Sequence, residues 1–253
     1  MTAPAESYEW AGPSLDQSFD FLKRAIVVRQ WEALHAISSL CDSGYGHFGV
    51  TLLRPAYEEL IWLKYLHSVP STAPRVTQLL ATRGVFRSIT QQAEYLGMDT
   101  MKQLGWTPSA VSNSARKLEE ENAELKAIGN SLGWRKTPPT FKWLSEKVGH
   151  ADEYNYIYHA TSSFVHFSPH ELHRRVWGRH GHVIIGSSSF TDYWEDFAAY
   201  WSTNTFIQTV VEVGDVLSFD DKENDFVLDI IKALYPVPII TTAEVQAWSE
   251  PRT

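Results

Sequence analysis

One predicted helix carries two histidines and two serines on the same broad side. His159 and His166 are seven residues apart, so on a straight α-helix they differ by only about 20° in direction and lie about 10 Å apart along the axis. Ser162 and Ser163 fall between them. An imidazole titrates near neutral pH and can act as a general acid or base. The pattern indicates either an acid–base site or polar residues that hydrogen-bond inside the protein.

An arginine and a glutamate precede this helix by about a hundred residues. Arg54 and Glu58 have i,i+4 spacing, which places both side chains on one face of a second predicted helix. One interpretation is an ion pair on the helix surface, which contributes little to stability. The other is that both side chains point into a polar cleft that also contains His159 and His166. The residues alone leave both interpretations open.

The elements that would position these residues are helices. Apolar residues recur at three- and four-residue steps along most of the chain, which is typical of amphipathic helices. We predict an all-α, single-domain bundle of about seven helices, with a short strand near residues 182–187. The longer predicted helices span residues 14–43, 48–67, 73–96, 108–132, 152–167, 192–217 and 221–234, and shorter ones span 140–148 and 243–248.

Composition sets the broad class of the protein. Of 253 residues, 43% are hydrophobic and 21% charged, which is typical of a globular chain. We predict a flexible lead-in at residues 1–13, a helical domain at 14–235 and a tail with a short helix at 236–253. The N-terminal residues lack a basic stretch followed by an apolar run, and no segment is apolar enough to span a membrane. We therefore expect a cytoplasmic protein without a membrane partner.

Net charge limits how the chain could contact nucleic acid. The formal net charge is −8, which opposes broad attraction to RNA or DNA. A local basic segment lies at residues 166–182, where Arg174, Arg175 and Arg179 occur with Trp177. This segment is either a solvated surface loop or an RNA-facing patch.

The same segment is rich in histidine. His166 and His170 have the i,i+4 spacing that can hold a metal on a helix. Pro169 lies between them and interrupts the helix, and the HExxH order of zinc hydrolases is absent. We predict no metal site, and we expect no cofactor because the sequence also lacks phosphate-binding glycine motifs.

Two segments, LLRPAYEELIWLKYL and YNYIYHATSSFVHFSP, carry a family resemblance. Together they resemble an uncharacterised, mostly bacterial helical family. The second segment also looks like the signature helix of the HEPN superfamily, helical proteins of which many are metal-independent ribonucleases or toxins in antiviral and toxin–antitoxin systems. The signature of that superfamily is an arginine and a histidine with four to six residues between them. The resemblance places His166 at the motif histidine and His159 where the arginine is expected.

The resemblance implies a division of roles. The histidine would transfer a proton at the ribose 2′-hydroxyl or the 5′-oxygen, and the arginine would stabilise the phosphate. Because His159 replaces that arginine, three possibilities are open. His159 supplies the charge when it is protonated, Arg54 or the arginines after residue 173 supply it, or catalysis has been lost. HEPN nucleases commonly build their site across a dimer, so the resemblance also implies a homodimer.

We predict a HEPN-like, metal-independent endoribonuclease or a degenerate relative, in antiphage defence or a toxin system. The alternative is a non-catalytic helical protein that binds a partner protein or small ligand through the same cleft. The predicted catalytic residues are His166, His159, Ser163 and Arg54. The predicted substrate-binding residues are Glu58, Tyr158, Ser162, Arg174 and Arg175.

Overall fold

Helices dominate the part of the chain that the computed structural model describes, which is residues 15–179, 181–186, 190–214 and 238–240. The α-helices of these residues are α1 Leu15–Asp42, α2 Val50–His67, α3 Ala73–Gln103, α4 Pro108–Ser131, α5 Phe141–Lys147, α6 Ala151–Val165, α7 Pro169–His173 and α8 Thr191–Glu212. A 3₁₀ turn at Gly46–Gly49 joins α1 to α2. The predicted all-α fold class is confirmed.

A single β-hairpin separates α7 from α8. Strand β1, Val176–Arg179, pairs antiparallel with β2, His182–Ile185, so that Val176 lies opposite Ile185. The short strand predicted near residues 182–187 is confirmed as β2. We did not predict β1, because Gly178 and Arg179 are not typical of a strand interior.

The chain divides into two compact units. Among the described residues, the first unit comprises residues 23–64 and those from 145 onward, and the second comprises residues 15–22 and 65–144. All the site residues predicted from the sequence belong to the first unit. The prediction of one domain at residues 14–235 remains a prediction.

Aromatic side chains form much of the core of the first unit. Trp194 and Phe197 of α8 are buried, with ring centroids 5.3 Å apart. Phe164 of α6 meets Trp194 edge-on at 4.8 Å, and Tyr156 lies 6.1 Å from Phe197. Each such ring pair contributes about 0.5–1.5 kcal/mol beyond burial of its area. These contacts fix α6 against α8.

The second unit contains a helical hairpin of α3 and α4. Thr107 caps α4 by accepting a hydrogen bond from the Ala110 amide at 3.1 Å, as its position before Pro108 predicts. Polar bonds join the two helices, including Arg75 Nε to Glu124 Oε1 at 2.7 Å. The charged stretch of α4 thus pairs partly with α3.

Three helix ends differ from the predictions. Helix α3 continues to Gln103, although Gly97 interrupts it with φ +77° and ψ 158°, a conformation that glycine adopts without steric cost. Helix α6 ends at Val165 instead of Phe167, and α8 ends at Glu212 instead of Leu217. The predicted lead-in at 1–13 and the helices at 221–234 and 243–248 lie outside the described residues. No helix of the described residues has the length and apolar character that crossing a membrane requires.

Two helical glycines are expected to respond oppositely to alanine. At Gly129 an added Cβ would lie 2.5 Å from a ring carbon of Trp134, which is buried and donates to the Tyr65 hydroxyl at 2.6 Å. We expect Gly129→Ala to destabilise by about 1–3 kcal/mol through overpacking. At Gly84 the added Cβ meets nothing within 4 Å, so Gly84→Ala should stabilise by about 0.5–1 kcal/mol. Urea unfolding measures the stability of both variants. If the two unfolding midpoints shift in the same direction, the prediction is wrong.

Candidate functional site

His166 lies in a short linker between two helices. Ser168 precedes Pro169 and so avoids the α conformation, and its hydroxyl instead accepts from the Glu171 amide at 3.3 Å and caps α7. Helix α6 therefore ends early, and His166 has extended backbone angles of φ −115° and ψ 162°. The predicted C-terminal end of this helix, at residue 167, was therefore two residues too late. The straight-helix separation of His159 and His166 no longer applies.

The imidazole of His166 contacts the guanidinium of Arg54. Arg54 Nη1 lies 3.5 Å from His166 Nε2, although the two residues are far apart in sequence. A guanidinium can only donate hydrogen bonds, so a hydrogen bond here requires the ring tautomer in which Nε2 is the accepting nitrogen. The distance is at the long end of the hydrogen-bonding range. An accepting imidazole nitrogen beside a cation can take a proton from a bound hydroxyl.

Two further residues hold Arg54 in place. Arg54 Nε donates to Glu58 Oε1 at 3.1 Å, and its guanidinium carbon lies 4.5 Å from the centroid of the Tyr158 ring. Burial lowers the pKa of Arg54, but the hydrogen bond and charge of Glu58 outweigh burial and raise the pKa above its ordinary value. The guanidinium is therefore charged near neutral pH. The sequence left open whether Arg54 and Glu58 form an exposed surface pair or point toward the helix that carries His159. The pair is partly buried, and Arg54 faces Tyr158 of that helix, α6.

A second tyrosine lies behind Tyr158. The ring centroids of Tyr154 and Tyr158 are 5.4 Å apart. Burial, followed by the nearby Glu58 and Tyr158, raises the pKa of Tyr154 to about 12, against a smaller opposing effect of Arg54. The Tyr154 phenol is therefore neutral near pH 7 and cannot serve there as a base.

The predicted catalytic residues on α6 itself do not join this group. The side chain of His159 is exposed and forms no hydrogen bond or ring contact with another described residue. The Ser163 hydroxyl donates to the Ala160 carbonyl at 3.1 Å, within its own helix. Ser162 is half-buried, and its carbonyl accepts from the His166 amide at 3.0 Å. The structure brings together Arg54, His166, Glu58 and Tyr158.

Arg174 is not placed to bind a substrate from solvent. It is only 8% exposed, and its Nη1 donates to Glu171 Oε2 at 3.2 Å. Its guanidinium carbon lies 5.0 Å from the centroid of the Trp194 ring. Arg175 is half-buried and close to His47, where burial first and the Arg175 charge second lower the pKa of His47. The Arg179 side chain lies outside the described residues. We therefore leave Arg174 and Arg175 out of the candidate site.

Sequence reasoning did not predict the positions of two residues of this region. Glu171 is buried with Arg174 and anchors α7, and its i,i+3 spacing to Arg174 was the available signal. Phe167 follows His166 and is 85% exposed. Among the described residues, no group of three or more histidine, cysteine, aspartate or glutamate side chains is placed to hold a metal ion.

Comparison with known proteins places the chain in a family. Residues 7–182 match DUF5677, a family of unknown function. The chain belongs to the DUF5677 family. The matched range includes all four residues of the candidate site, whereas α8 of this DUF5677 chain lies beyond it. No curated protein and no solved structure matches the chain. Membership confirms the predicted resemblance to an uncharacterised helical family, and the HEPN likeness stays a prediction.

Proposed function

We propose that this DUF5677 chain is a metal-independent endoribonuclease in which His166 transfers the proton and Arg54 binds the phosphate. One observation carries the proposal: Arg54 Nη1 lies 3.5 Å from His166 Nε2. The arginine that the HEPN signature expects at position 159 is replaced, in this proposal, by an arginine from α2. The pair therefore meets through folding and not through sequence spacing.

The chemistry follows from the two side chains. When a phosphate binds, Arg54 Nη1 turns from His166 Nε2 to the phosphate oxygens. The freed Nε2 then accepts the proton of a ribose 2′-hydroxyl, and the 2′-oxygen attacks the adjacent phosphorus. The bond from phosphorus to the 5′-oxygen breaks, and the 5′-oxygen takes a proton from solvent. Arg54 donates to the non-bridging phosphate oxygens, whose negative charge grows in the transition state. The products are a 2′,3′-cyclic phosphate and a 5′-hydroxyl, and no metal takes part.

Glu58 and Tyr158 position the arginine in this scheme. A guanidinium on a flexible side chain loses rotational entropy when it binds phosphate. The bond from Arg54 Nε to Glu58 and the stacking on Tyr158 fix the side chain beforehand and leave the Nη atoms for the phosphate. Both residues are therefore assigned to positioning and not to contact with the reacting atoms.

The end groups of the products test the proposal. Purified full-length protein is incubated with total RNA in excess EDTA. We expect cleavage to continue without divalent ions and to leave 5′-hydroxyl ends, which polynucleotide kinase labels without prior phosphatase treatment. Absence of cleavage, or 5′-phosphate ends, would show that the proposed reaction is wrong. A mock preparation from cells that lack the expression plasmid is the control for contaminating nucleases.

A non-catalytic binding protein is the second candidate function. The observation that favours it is that Arg54 already has two partners, Glu58 and Tyr158, as in a structural ion pair. Under this alternative the same residues hold a partner protein or a small ligand, and RNA stays intact in the assay above.

The cellular setting is part of the proposal and rests on the HEPN resemblance alone. We propose a cytoplasmic homodimer that acts in antiphage defence or as a toxin component. Growth arrest of host cells on expression of the wild-type chain supports this setting.

A further inference from the structure

The β-hairpin between α7 and α8 exposes an apolar face. Val176 lies opposite Ile185 in the register, and Val183 lies two residues before Ile185 on the same strand. Side chains alternate along a strand and opposite residues share a face, so these three side chains project from one face of the sheet. Val176 is 44%, Val183 62% and Ile185 78% exposed. A two-stranded sheet gains stability when such a face or edge packs against another element.

The outer edge of β2 has backbone groups that point away from β1. The Gly186 amide donates to the Arg175 carbonyl at 3.1 Å, so these two residues form a hydrogen-bonded pair of the ladder. Hydrogen-bonded and non-hydrogen-bonded pairs alternate along antiparallel strands. Val183 and Ile185 therefore lie at non-hydrogen-bonded positions, and their N–H and C=O groups point outward. In the part of the chain that the structure describes, the sheet has two strands, so β2 forms one of its edges.

This edge lacks the usual protection against pairing with another strand. Native edge strands often carry lysine, proline or a bulge that blocks such pairing. Strand β2 consists of the residues HVII, all exposed, and it pairs with β1 in unbroken register. The outward backbone groups and the apolar side chains belong to the same two residues, Val183 and Ile185. Sheets that accept an added strand use this combination, in which main-chain hydrogen bonds supply affinity and alternate side chains supply specificity.

The charge of the hairpin indicates which strand would bind. Residues 175–186 contain two arginines, two histidines and no acidic residue, although the net charge of the whole chain is −8. A second copy paired along β2 about a two-fold axis would place two basic hairpins side by side, and like charges oppose such a contact. One strand of four residues is also far smaller than the roughly 800 Å² that each partner buries in a stable interface. Both arguments favour an acidic segment of another protein.

We propose that the outer edge of β2 binds an extended segment of a partner protein in which aliphatic and acidic residues alternate. An added strand continues the pleat of the sheet, so the aliphatic side chains of the segment extend the face of Val183 and Ile185. The acidic side chains then lie on the opposite face, which carries Arg175 and His182. None of these residues belongs to the proposed ribonuclease site, so the proposal does not depend on that function.

A synthetic peptide tests the proposal. A fluorescein-labelled peptide of alternating valine and glutamate is titrated with the full-length protein, and fluorescence anisotropy measures binding. We expect saturable binding, and we expect about ten-fold weaker binding of a peptide with lysine in place of glutamate and of a peptide that is N-methylated at alternate amides. Hydrogen exchange should show that the peptide protects the amides of Val183 and Ile185.

Three variants of the hairpin locate the contact. Val183→Pro removes an outward N–H group and no hydrogen bond to β1, so it should weaken peptide binding about ten-fold while the hairpin stays intact. Ile185→Glu leaves the backbone unchanged and adds a charge of the same sign as the peptide, so it should weaken binding to a similar extent. Ile184→Ala is the matched control. It shortens an exposed aliphatic side chain of the opposite face and should change binding by less than about two-fold.

Several results would overturn the proposal. These are absence of saturable binding, equal affinity for the glutamate and lysine peptides, and equal binding by the wild type and the variants Val183→Pro and Ile185→Glu. Sedimentation at assay concentration tests the other occupant. If the wild type forms a dimer that Val183→Pro dissociates, the edge of β2 binds a second copy of the chain and the proposal is wrong.

Discussion

Substitution of His166 by alanine should lower the rate of RNA cleavage by about two to four orders of magnitude, the usual contribution of a general acid or base. In the proposed reaction the imidazole accepts the proton beside Arg54, and Tyr154 cannot replace it because burial raises the pKa of that phenol to about 12. Single-turnover cleavage of a labelled RNA by the purified variant measures the loss. Circular dichroism shows whether the variant is folded, and we expect an unchanged spectrum because His166 is exposed.

His159→Ala is the matched comparison for this variant. His159 is also an exposed histidine of the same segment, but it forms no hydrogen bond or ring contact with another described residue. We expect its cleavage rate to stay within about two-fold of wild type, because the His159 side chain makes no contact with the pair that we propose for the reaction. If His159→Ala is as defective as His166→Ala, the site contains two histidines and the pairing with Arg54 is not its basis. If His166→Ala cleaves at the wild-type rate, the catalytic proposal is wrong.

Substitution of Arg174 by alanine should destabilise the protein by about 3–5 kcal/mol, the usual cost of removing one partner from a buried ion pair. Glu171 is 6% exposed and would lose its ion pair with Arg174 in a buried position. The contacts of the guanidinium with the rings of Trp194 and Phe190 would be lost as well. Because a typical domain is stable by only about 5–15 kcal/mol, chemical unfolding should show a large shift in the midpoint.

An exposed ion pair and a double variant control this prediction. Arg116 pairs with Glu120 on the surface of α4, where both side chains are more than half exposed, so Arg116→Ala should change stability by less than about 1 kcal/mol. The double variant Glu171→Leu, Arg174→Met should recover much of the loss, since apolar residues of similar size can replace a buried pair. A midpoint for Arg174→Ala that matches Arg116→Ala would contradict the prediction.

Local signals in the sequence were enough to predict most helix starts and ends. Thr107 and Pro108 predict the first turn of α4 because one residue caps the helix and the other tolerates its first position. The end of α6 was predicted two residues too late. Pro169 disfavours the helical conformation only at Ser168, and the early end at Val165 depends on Ser168 turning to cap α7.

The candidate site was only partly predictable for a physical reason. Arg54, Glu58, Tyr158 and His166 were all named from the sequence, but spacing describes neighbours on one helix and not contacts between helices. The contact of Arg54 with His166 joins residues from α2 and the end of α6, so it depends on tertiary packing. For the same reason Arg174 looked like a surface cation, whereas the α7–α8 contacts bury it.

In the proposed reaction, the linker of residues 166–168 connects the position of His166 to that of α7. Three residues span at most about 10 Å, so α7 cannot move far without moving His166. Helix α7 is itself tied to α8 through Arg174 and Trp194. Local detachment of α7 would therefore separate His166 from Arg54, while α2 and α6 could stay in place. The length of the linker therefore helps to determine where His166 lies relative to Arg54.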